Sequence, residues 1–354
     1  MRASQRFLIV FALGISVLLA GCGISSDVDA QTKMAAKQAA QVKSKSEVIT
    51  PHKDLNQKPV PLKVNRIGEH EVNIEMTTQI TDIEIAPNEV YKAWTFNGEA
   101  PGPLIVVNEG DTMNVTLKNM DPQIPHSVDF HAVETSPSKN FTDVGPGKSG
   151  TFSYTANRPG VFMYHCATDP VLSHIANGMH GIVVVKPAKG FPTDDKVDKE
   201  FAVIQNEWYN YNDLEDFANG EPKHVVFSAK ALTKGDRNTN GDTFSLKDEP
   251  LLAKAGDRIR LYINNVGPNE VSSFHVIGAQ MDVVYLEGNP ENQLKGMQTI
   301  QLPASGGAVV EFEVKEEGSY SFVTHQFNHV QKGASAIIKV TADGEDDDSA
   351  TMSH

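Results

Sequence analysis

Apolar and polar residues alternate along short segments of this chain, and turn-forming residues separate one segment from the next. The segment Thr112–Asn119 places apolar side chains at every second position, and Arg258–Asn264 does the same. Val310, Phe312 and Val314 form a third example. A period of two is typical of strands with one buried face, and no long segment has a helical period. The pattern therefore predicts antiparallel β-sandwiches.

Two stretches of the chain resemble each other. Val128–His131 is echoed by Ser272–His275, and the predicted strand Gly160–His165 is echoed by Gly318–His325. An internal repeat of this length indicates two copies of one domain. The first copy ends in His-Cys and the second in His-Gln, so only the first copy retains a thiol at this position.

The thiol belongs to a set of residues that are typical metal ligands. Cys166 follows His126 along the chain and precedes His174 and Met179. One thiolate, two imidazoles and a weak thioether are the donors of a blue-copper site. Taken singly, Cys166 is as well explained as a small buried hydrophobe, and Met179 as a residue that fills the core. The ordered set of four favours a metal site in the first domain.

Strand geometry separates this set from a second pair of imidazoles. His126 and His131 are five residues apart, and His165 and Cys166 are adjacent. Residues an odd number apart on one extended segment point to opposite faces. We therefore expect His131 and His165 to face outward, with Asp129 on the same face as His131. The peptide bond between residues 165 and 166 then joins two metal sites.

A catalytic metal site usually has three protein ligands and one open position. The candidate for the third ligand is His325, which closes the strand that mirrors the one ending in His165. His329 is its competitor. A surface pair completed by a distant residue predicts a site at an interface, within one chain or between subunits. Imidazole ligands suit copper.

The N-terminus has the features of a targeting segment. Arg2 and Arg6 precede an apolar run, Phe7–Ala20, that is too short to span a bilayer. The run ends in Leu-Ala-Gly-Cys, which resembles a lipobox in which Cys22 is lipidated; a plain secretory signal cut near Ala20 is the alternative. Either way we expect an exported protein, and with lipidation one anchored on the extracytoplasmic side of the cell membrane. An exported protein that keeps one cysteine cannot form an internal disulfide, which again favours metal ligation.

Composition divides the chain into five predicted segments. These are a lipoprotein-type signal peptide (1–22), a flexible linker (23–61), two β-domains (62–190 and 191–342) and an acidic tail (343–354). The net charge of −14 and the lack of basic clusters argue against a nucleic-acid partner. We interpret four other histidines as surface residues without a role: His52, His70, His180 and His224.

From about Val64 to Val340 the chain resembles the two-domain copper-containing nitrite reductases. The motifs that carry the resemblance are Trp94-Thr-Phe-Asn-Gly98, Pro101-Gly-Pro103, His126-Ser-Val-Asp-Phe-His131, Tyr164-His-Cys166, His174 to Met179-His-Gly181, Phe274-His-Val-Ile-Gly278 and the late His325. The segment around His325 departs from the commoner form of the motif. The resemblance implies two tandem cupredoxin-like Greek-key β-sandwich domains and an all-β fold.

The resemblance also implies the site residues and partners. It assigns type 1 copper to His126, Cys166, His174 and Met179, and type 2 copper to His131, His165 and His325, which makes two coppers per chain. His325 comes from a neighbouring subunit of a homotrimer. Asp129 and His275 become the catalytic acid pair, and Ile277 restricts how the substrate sits. Nitrite is the expected substrate, and a cupredoxin or a c-type cytochrome is the expected electron donor.

The implied reaction is the reduction of nitrite to nitric oxide and water. One external electron passes from type 1 copper through Cys166 and His165 to type 2 copper, and two protons are consumed. Two alternatives are a small laccase-like multicopper oxidase and a non-catalytic blue-copper electron carrier. A laccase needs paired His-x-His elements for a trinuclear cluster, and this sequence contains none. A carrier would bind one copper per chain and be indifferent to loss of His131.

Overall fold

The computed structural model describes residues 55–230, 232, 246 and 249–345. The predicted signal peptide with Cys22, most of the predicted linker, His52 and the end of the acidic tail lie outside these ranges. Within them, no helix is both long and apolar enough to cross a bilayer.

The first half of the described chain is built from short strands. They are β1 (Lys63–Gly68), β2 (Glu71–Ala86), β3 (Glu89–Phe96), β4 (Ile105–Asn108), β5 (Thr112–Asn119), β6 (Asp129–Phe130), β7 (Ser149–Thr155), β8 (Gly160–His165) and β9 (His180–Lys186). Two short helices accompany them, α1 (Pro137–Asn140) and α2 (Val171–Ala176).

The second half has the same character. Its strands are β10 (Lys199–Trp208), β11 (His224–Lys230), β12 (Leu251–Lys254), β13 (Arg258–Asn265), β14 (Ser272–Val276), β15 (Met281–Leu286), β16 (Gln293–Met297), β17 (Thr299–Leu302), β18 (Gly307–Glu313), β19 (Gly318–Thr324) and β20 (Ser335–Thr341). A 3-10 turn (Asp194–Lys196) precedes them, and the described helices are α3 (Leu214–Asn219) and α4 (Phe327–Val330).

Each half forms a sandwich of two sheets with matching strand order. In the first half, β3-β2-β5-β7 form one sheet, with β1 also paired to β2, and β4-β9-β8-β6 form the other. In the second half, β11-β10-β13-β18 repeat the first order and β12-β20-β19-β14 repeat the second. The parallel pairs also correspond, since β2–β5 matches β10–β13 and β4–β9 matches β12–β20, so the sheets are mixed and not purely antiparallel as the alternation predicted. The predicted repeat and the all-β, two-domain cupredoxin-like fold are confirmed.

Two strands that alternation predicted differ in how many of their faces are buried. Strand β5 spans the predicted Thr112–Asn119, and Met113, Val115 and Leu117 are buried between more exposed neighbours. Strand β13 also lies where the pattern predicted a strand, but nearly all its residues are buried. Its second face is covered because the sheet that contains β13 packs against the first half of the chain.

The two halves share a buried contact along β8. Val161 and Met163 of β8 pack in one apolar cluster with Tyr262 of β13. The Val161 amide donates to the Glu287 carbonyl at 2.9 Å, and the Asn264 side-chain amide donates to the Val161 carbonyl at 3.2 Å. The strand that ends in the His-Cys pair is therefore held against the second half of the chain.

The described end of the predicted linker packs on the first sandwich. The Gln57 amide donates to the Ile80 carbonyl at 2.8 Å, and the Val60 amide donates to the Asn97 carbonyl at 3.0 Å. Residues 57–60 are therefore fixed to the fold, although the composition predicted a flexible segment there.

Candidate metal centres

Three donor side chains of the first half meet in a buried cluster. His126 Nδ1 lies 3.3 Å from His174 Nδ1 and 3.9 Å from Cys166 Sγ. All three side chains are essentially inaccessible to solvent. His126 pairs with Val144 in an isolated bridge, Cys166 follows the end of β8, and His174 lies on α2. Three separate parts of the chain thus converge on one point.

The arrangement fits a bound metal ion. Bonds of about 2.0 Å to nitrogen and 2.3 Å to sulfur hold neighbouring ligand atoms about 3 to 4 Å apart, as observed here. Two facing Nδ1 atoms can share only one proton, whereas a cation accepts the lone pairs of both. His174 Nε2 is also buried without a hydrogen-bond partner among the described residues. One soft thiolate and two imidazoles are donors that suit copper.

The pKa shifts of Cys166 and His174 favour ligation at this cluster. Burial raises the pKa of the Cys166 thiol, but the hydrogen bond and charge of His126, together with hydrogen bonds from Ser127 and Thr168, hold that pKa below its ordinary value. Burial lowers the pKa of His174 to about 4, so this imidazole is neutral at neutral pH. Thiolate and neutral imidazole are the forms that bind metals.

Met179 is held beside these residues by its backbone. Its amide donates to the His174 carbonyl at 3.0 Å, and its carbonyl accepts from the Cys166 amide at 3.1 Å. The side chain is fully buried. The Trp94 ring closes another side of the cluster, with its centroid 4.8 Å from that of His174.

A second cluster lies on the outer side of the same strands. His165 Nε2 is 3.1 Å from His131 Nε2 and 3.9 Å from an Asp129 carboxylate oxygen. His165 Nδ1 donates to the Cys166 carbonyl at 2.9 Å, since that oxygen can only accept, and this leaves Nε2 free to bind a metal. His131 is exposed and Asp129 is half-buried. The three ligand atoms lie within 4.8 Å of one another, which also fits a metal site.

His126 and His131 point to different clusters for a reason other than strand parity. Strand parity requires His126 and His131 to lie on one extended segment, but strand β6 contains only Asp129 and Phe130, and His131 begins the turn that follows. The separation comes instead from the end of β8. His165 and the adjacent Cys166 turn toward different clusters, as neighbours on a strand do.

The second half supplies a separate pair of histidines. The ring centroids of His275 and His325 are 5.5 Å apart, at the ends of the adjacent strands β14 and β19. His275 Nδ1 donates to the Gln298 carbonyl at 2.6 Å, which leaves Nε2 available. Ile277 follows on the same edge and is 47% exposed, unusually open for a large apolar side chain. A cleft of about 610 Å³, lined in part by Lys315, lies beside His275.

The structure does not bring His325 into the Asp129, His131 and His165 cluster of the same chain. Among the described residues, that cluster has no fourth His, Cys, Asp or Glu ligand at the same spacing. His325 and His131 are both exposed, so each is accessible to another copy of the chain. The competitor His329 is 2% exposed, and its Nε2 lies 3.5 Å from Glu270.

One interpretation of the sequence is wrong. His180 is not a surface residue, because it is fully buried next to Met179, with Nδ1 donating to the Ile175 carbonyl at 3.0 Å. Burial lowers its pKa to about 4. Of the other histidines interpreted as surface residues, His70 is exposed, and His224 is half-buried against Glu89 at 3.2 Å.

Sequence reasoning also missed a carboxylate. Asp121 is 1% exposed, and one of its oxygens lies 3.4 Å from His126 Nε2. No motif contains Asp121, and no spacing rule ties it to the cluster. The available signal was its position in the turn between β5 and the His126 segment.

Tyr164 explains two glycine-containing motifs. Its hydroxyl donates to the Pro103 carbonyl at 2.6 Å. A Cβ at Gly102 would lie 2.6 Å from the Tyr164 hydroxyl, and a Cβ at Gly181 would lie 2.4 Å from its ring. These glycines leave space for the ring of Tyr164, the residue that precedes His165.

The fold and the buried Cys-His cluster define a protein of the cupredoxin class. In agreement, two multicopper oxidase family models match residues 77–190 and 216–344. The copper-containing nitrite reductases of Neisseria gonorrhoeae and Neisseria meningitidis serogroup A are each 39% identical over 295 residues. The match covers 79% of this chain and 71% and 72% of those proteins, respectively. The structure of copper nitrite reductase from Nitrosomonas europaea superposes with a TM-score of 0.70 and 35% identity, over 78% of this chain and 95% of that one.

The chain therefore belongs to the family of copper-containing nitrite reductases.

Proposed function

We propose that this protein binds two copper ions and reduces nitrite to nitric oxide and water with one external electron and two protons. The observation that carries the proposal is the pair His165-Cys166, whose sulfur belongs to the buried cluster and whose imidazole belongs to the exposed one. Adjacent residues that serve two metal sites provide a short covalent connection between them. A simple electron carrier does not require this pairing, and a laccase would also need the paired His-x-His elements that the sequence lacks.

The four residues His126, Cys166, His174 and Met179 would hold the first copper, and His131, His165 and His325 the second. Copper would supply a one-electron redox centre at the first site and a Lewis acid for nitrite at the second. Burial of the first set excludes water from the thiolate. Exposure of His131 leaves the second set open to a small anion.

Asp129 and His275 are proposed to handle the protons. Asp129 lies beside His165, on the side where nitrite would bind. His275 keeps its Nε2 free because Nδ1 donates to Gln298, so Nε2 can hold a proton and release it to the leaving oxygen. Imidazole is the side chain that changes charge near neutral pH, which suits this role.

The third ligand of the second site is proposed to come from another copy of the chain. His325 lies with His275 on the second half, and both it and His131 are exposed. A head-to-tail interface that closes as a ring would bring the two surfaces together in every subunit pair, as in a trimer. This arrangement would also bring His275 and Ile277 over the site of nitrite.

A copper count combined with a nitric oxide assay tests the proposal. We expect two coppers per mature chain, and nitric oxide from nitrite with a chemical reductant. His131→Ala should retain about one copper and lose activity, and Asp129→Asn and His275→Ala should keep both coppers but slow turnover by about 10²–10⁴-fold. His70→Ala, an exposed histidine outside both clusters, is the matched control. Full activity in His131→Ala would contradict the proposal.

A further inference from the structure

The buried carboxylate of Asp121 has two oxygens with different partners. Oδ1 accepts from the backbone amides of Gln123 and Ile124 at 2.7 and 3.0 Å. Oδ2 is left with His126 Nε2, at 3.4 Å, as its hydrogen-bond partner among the described residues. The Asn119 side chain accepts from the Asp121 amide at 2.9 Å, which fixes the turn. The turn therefore orients the carboxylate and directs one oxygen at the imidazole.

A purely structural turn does not need this charge. An asparagine or serine side chain can accept the same backbone amides, and such residues are common in turns. Burial of an unpaired carboxylate costs several kcal/mol, so buried charges are paired. A neutral His126 does not supply the opposite charge. The other carboxylates near the cluster, such as Asp143, are exposed and solvated.

We infer that Asp121 is a positioning residue that holds the proton of His126 on Nε2 and stabilises the oxidised state of the metal at the first site. With Nε2 protonated, the Nδ1 lone pair faces His174 and Cys166, which is the orientation that ligation requires. The inference rests on the copper site proposed above.

The charge balance gives the direction of the effect. Cys166 thiolate and Asp121 together carry two negative charges in a buried region. Cu(II) compensates both, whereas Cu(I) leaves one negative charge unpaired. A low-dielectric surrounding favours the neutral assembly. Asp121 should therefore favour Cu(II) over Cu(I) and lower the reduction potential of the first site.

The test compares three variants of the full-length, copper-loaded protein. Asp121→Asn keeps one acceptor for the turn but presents an amide N–H to the imidazole, and Asp121→Ser keeps a turn-forming hydroxyl without a carboxylate. Asp111→Asn is the matched control, since Asp111 is also a buried carboxylate that accepts a backbone amide. Asp111 precedes β5 and Asp121 follows it, so the 8-residue strand, roughly 26 Å long at 3.3 Å per residue, lies between them.

For both Asp121 variants we expect Cu(II) affinity at the first site to fall by about 10- to 100-fold. Cu(I) affinity should fall less. Each factor of ten by which the loss of Cu(II) affinity exceeds the loss of Cu(I) affinity raises the reduction potential of the first site by about 59 mV. The readouts are the thiolate-to-copper absorption band, metal competition and redox titration. Folded variants that no longer load the first copper, while Asp111→Asn does, would also support the inference.

Two outcomes overturn it. One is a potential in both Asp121 variants equal to that of Asp111→Asn, and the other is loss of the fold in both while Asp111→Asn remains folded. A wild-type protein without the absorption band would instead refute the proposed copper site itself, so the two failures are distinguishable.

Discussion

At the scale of single residues, burial decides chemistry that residue type alone leaves open. His126, His174 and His180 are all imidazoles near the first cluster, yet they differ in partner and in the direction of their pKa. Burial lowers the pKa of His126, but hydrogen bonds with Asp121 and Cys166 outweigh it, so the net shift is upward. Among the described residues, His174 and His180 have no hydrogen bond to a carboxylate or thiol, and burial lowers their pKa values to about 4. The partners that each imidazole meets in the folded chain set the difference.

Glu207 offers a test of the same principle away from the metal sites. It is fully buried, accepts from the Glu270 amide at 2.8 Å and from the Tyr209 hydroxyl, and burial raises its pKa to about 7. The folded state thus holds a proton that the unfolded state releases near its ordinary pKa of 4.5. Stability is therefore lost as pH rises from about 4.5 to 7, by about 3 kcal/mol.

We expect Glu207→Gln to remove this loss, which denaturant unfolding at a series of pH values measures. Glu200→Gln is a control of opposite sign. Burial raises the pKa of Glu200, but Tyr262 and Lys186 outweigh it and the pKa is lowered, so Glu200 stabilises the fold at high pH. If the free energy of unfolding of Glu207→Gln depended on pH as in the wild type, the Glu207 carboxyl would not be the group that titrates in this pH range.

At the scale of elements, the motifs around the metal sites contain residues that pack the strands as well as residues that could bind metal. Strand β8 carries Tyr164 and His165, and its outer face contacts the second half through Val161 and Met163. Gly102 and Gly181 leave space for the Tyr164 ring. The packing of the strand that carries His165 therefore depends on glycines that are not ligands themselves.

Gly181→Ala should disturb this packing. Its Cβ would lie 2.4 Å from the Tyr164 ring, so the ring must move, and we expect a loss of about 1–3 kcal/mol in stability. Copper content at the second site should fall with it, because Tyr164 adjoins His165. Gly145→Ala is the matched control, since its nearest contact would be 3.9 Å away and its φ is not positive. Thermal unfolding and metal analysis compare the two, and equal effects would contradict this account of Tyr164.

At the scale of the whole molecule, the sandwich repeat places the proposed site residues on two separate surfaces of one chain. The Asp129, His131 and His165 cluster lies on the first half, while His275 and His325 lie on the second. If each site forms between subunits, two different defective chains can complement each other. A site within one chain cannot be restored in this way.

We therefore expect activity when His131→Ala and His325→Ala chains are co-expressed, although each alone is inactive. In randomly mixed rings, about one quarter of the interfaces join an intact His131 surface to an intact His325 surface. Co-expression of His131→Ala with His165→Ala is the control, because both defects lie on the same surface. Nitric oxide formation by the purified mixtures decides the question, and activity no higher than in the control would favour a site within one chain.

Local features of the sequence predicted much of this structure. Alternation identified β5, most of β13 and part of β18, because successive side chains of any strand point to opposite faces. The repeat predicted two matching sandwiches, and the order of donor residues predicted which side chains would converge at the buried cluster. Motif resemblance brought in His275 and Ile277, which periodicity alone would not single out.

What the sequence by itself determined is the set of strands, their duplication and a thiolate adjacent to an imidazole at the end of one strand. Tertiary structure alone decided that His180 is buried, that His329 faces Glu270, that β13 has two covered faces, and that Asp121 reaches His126. The reason is physical. Alternation is a property of neighbouring residues, whereas burial and charge pairing depend on which distant segments pack together.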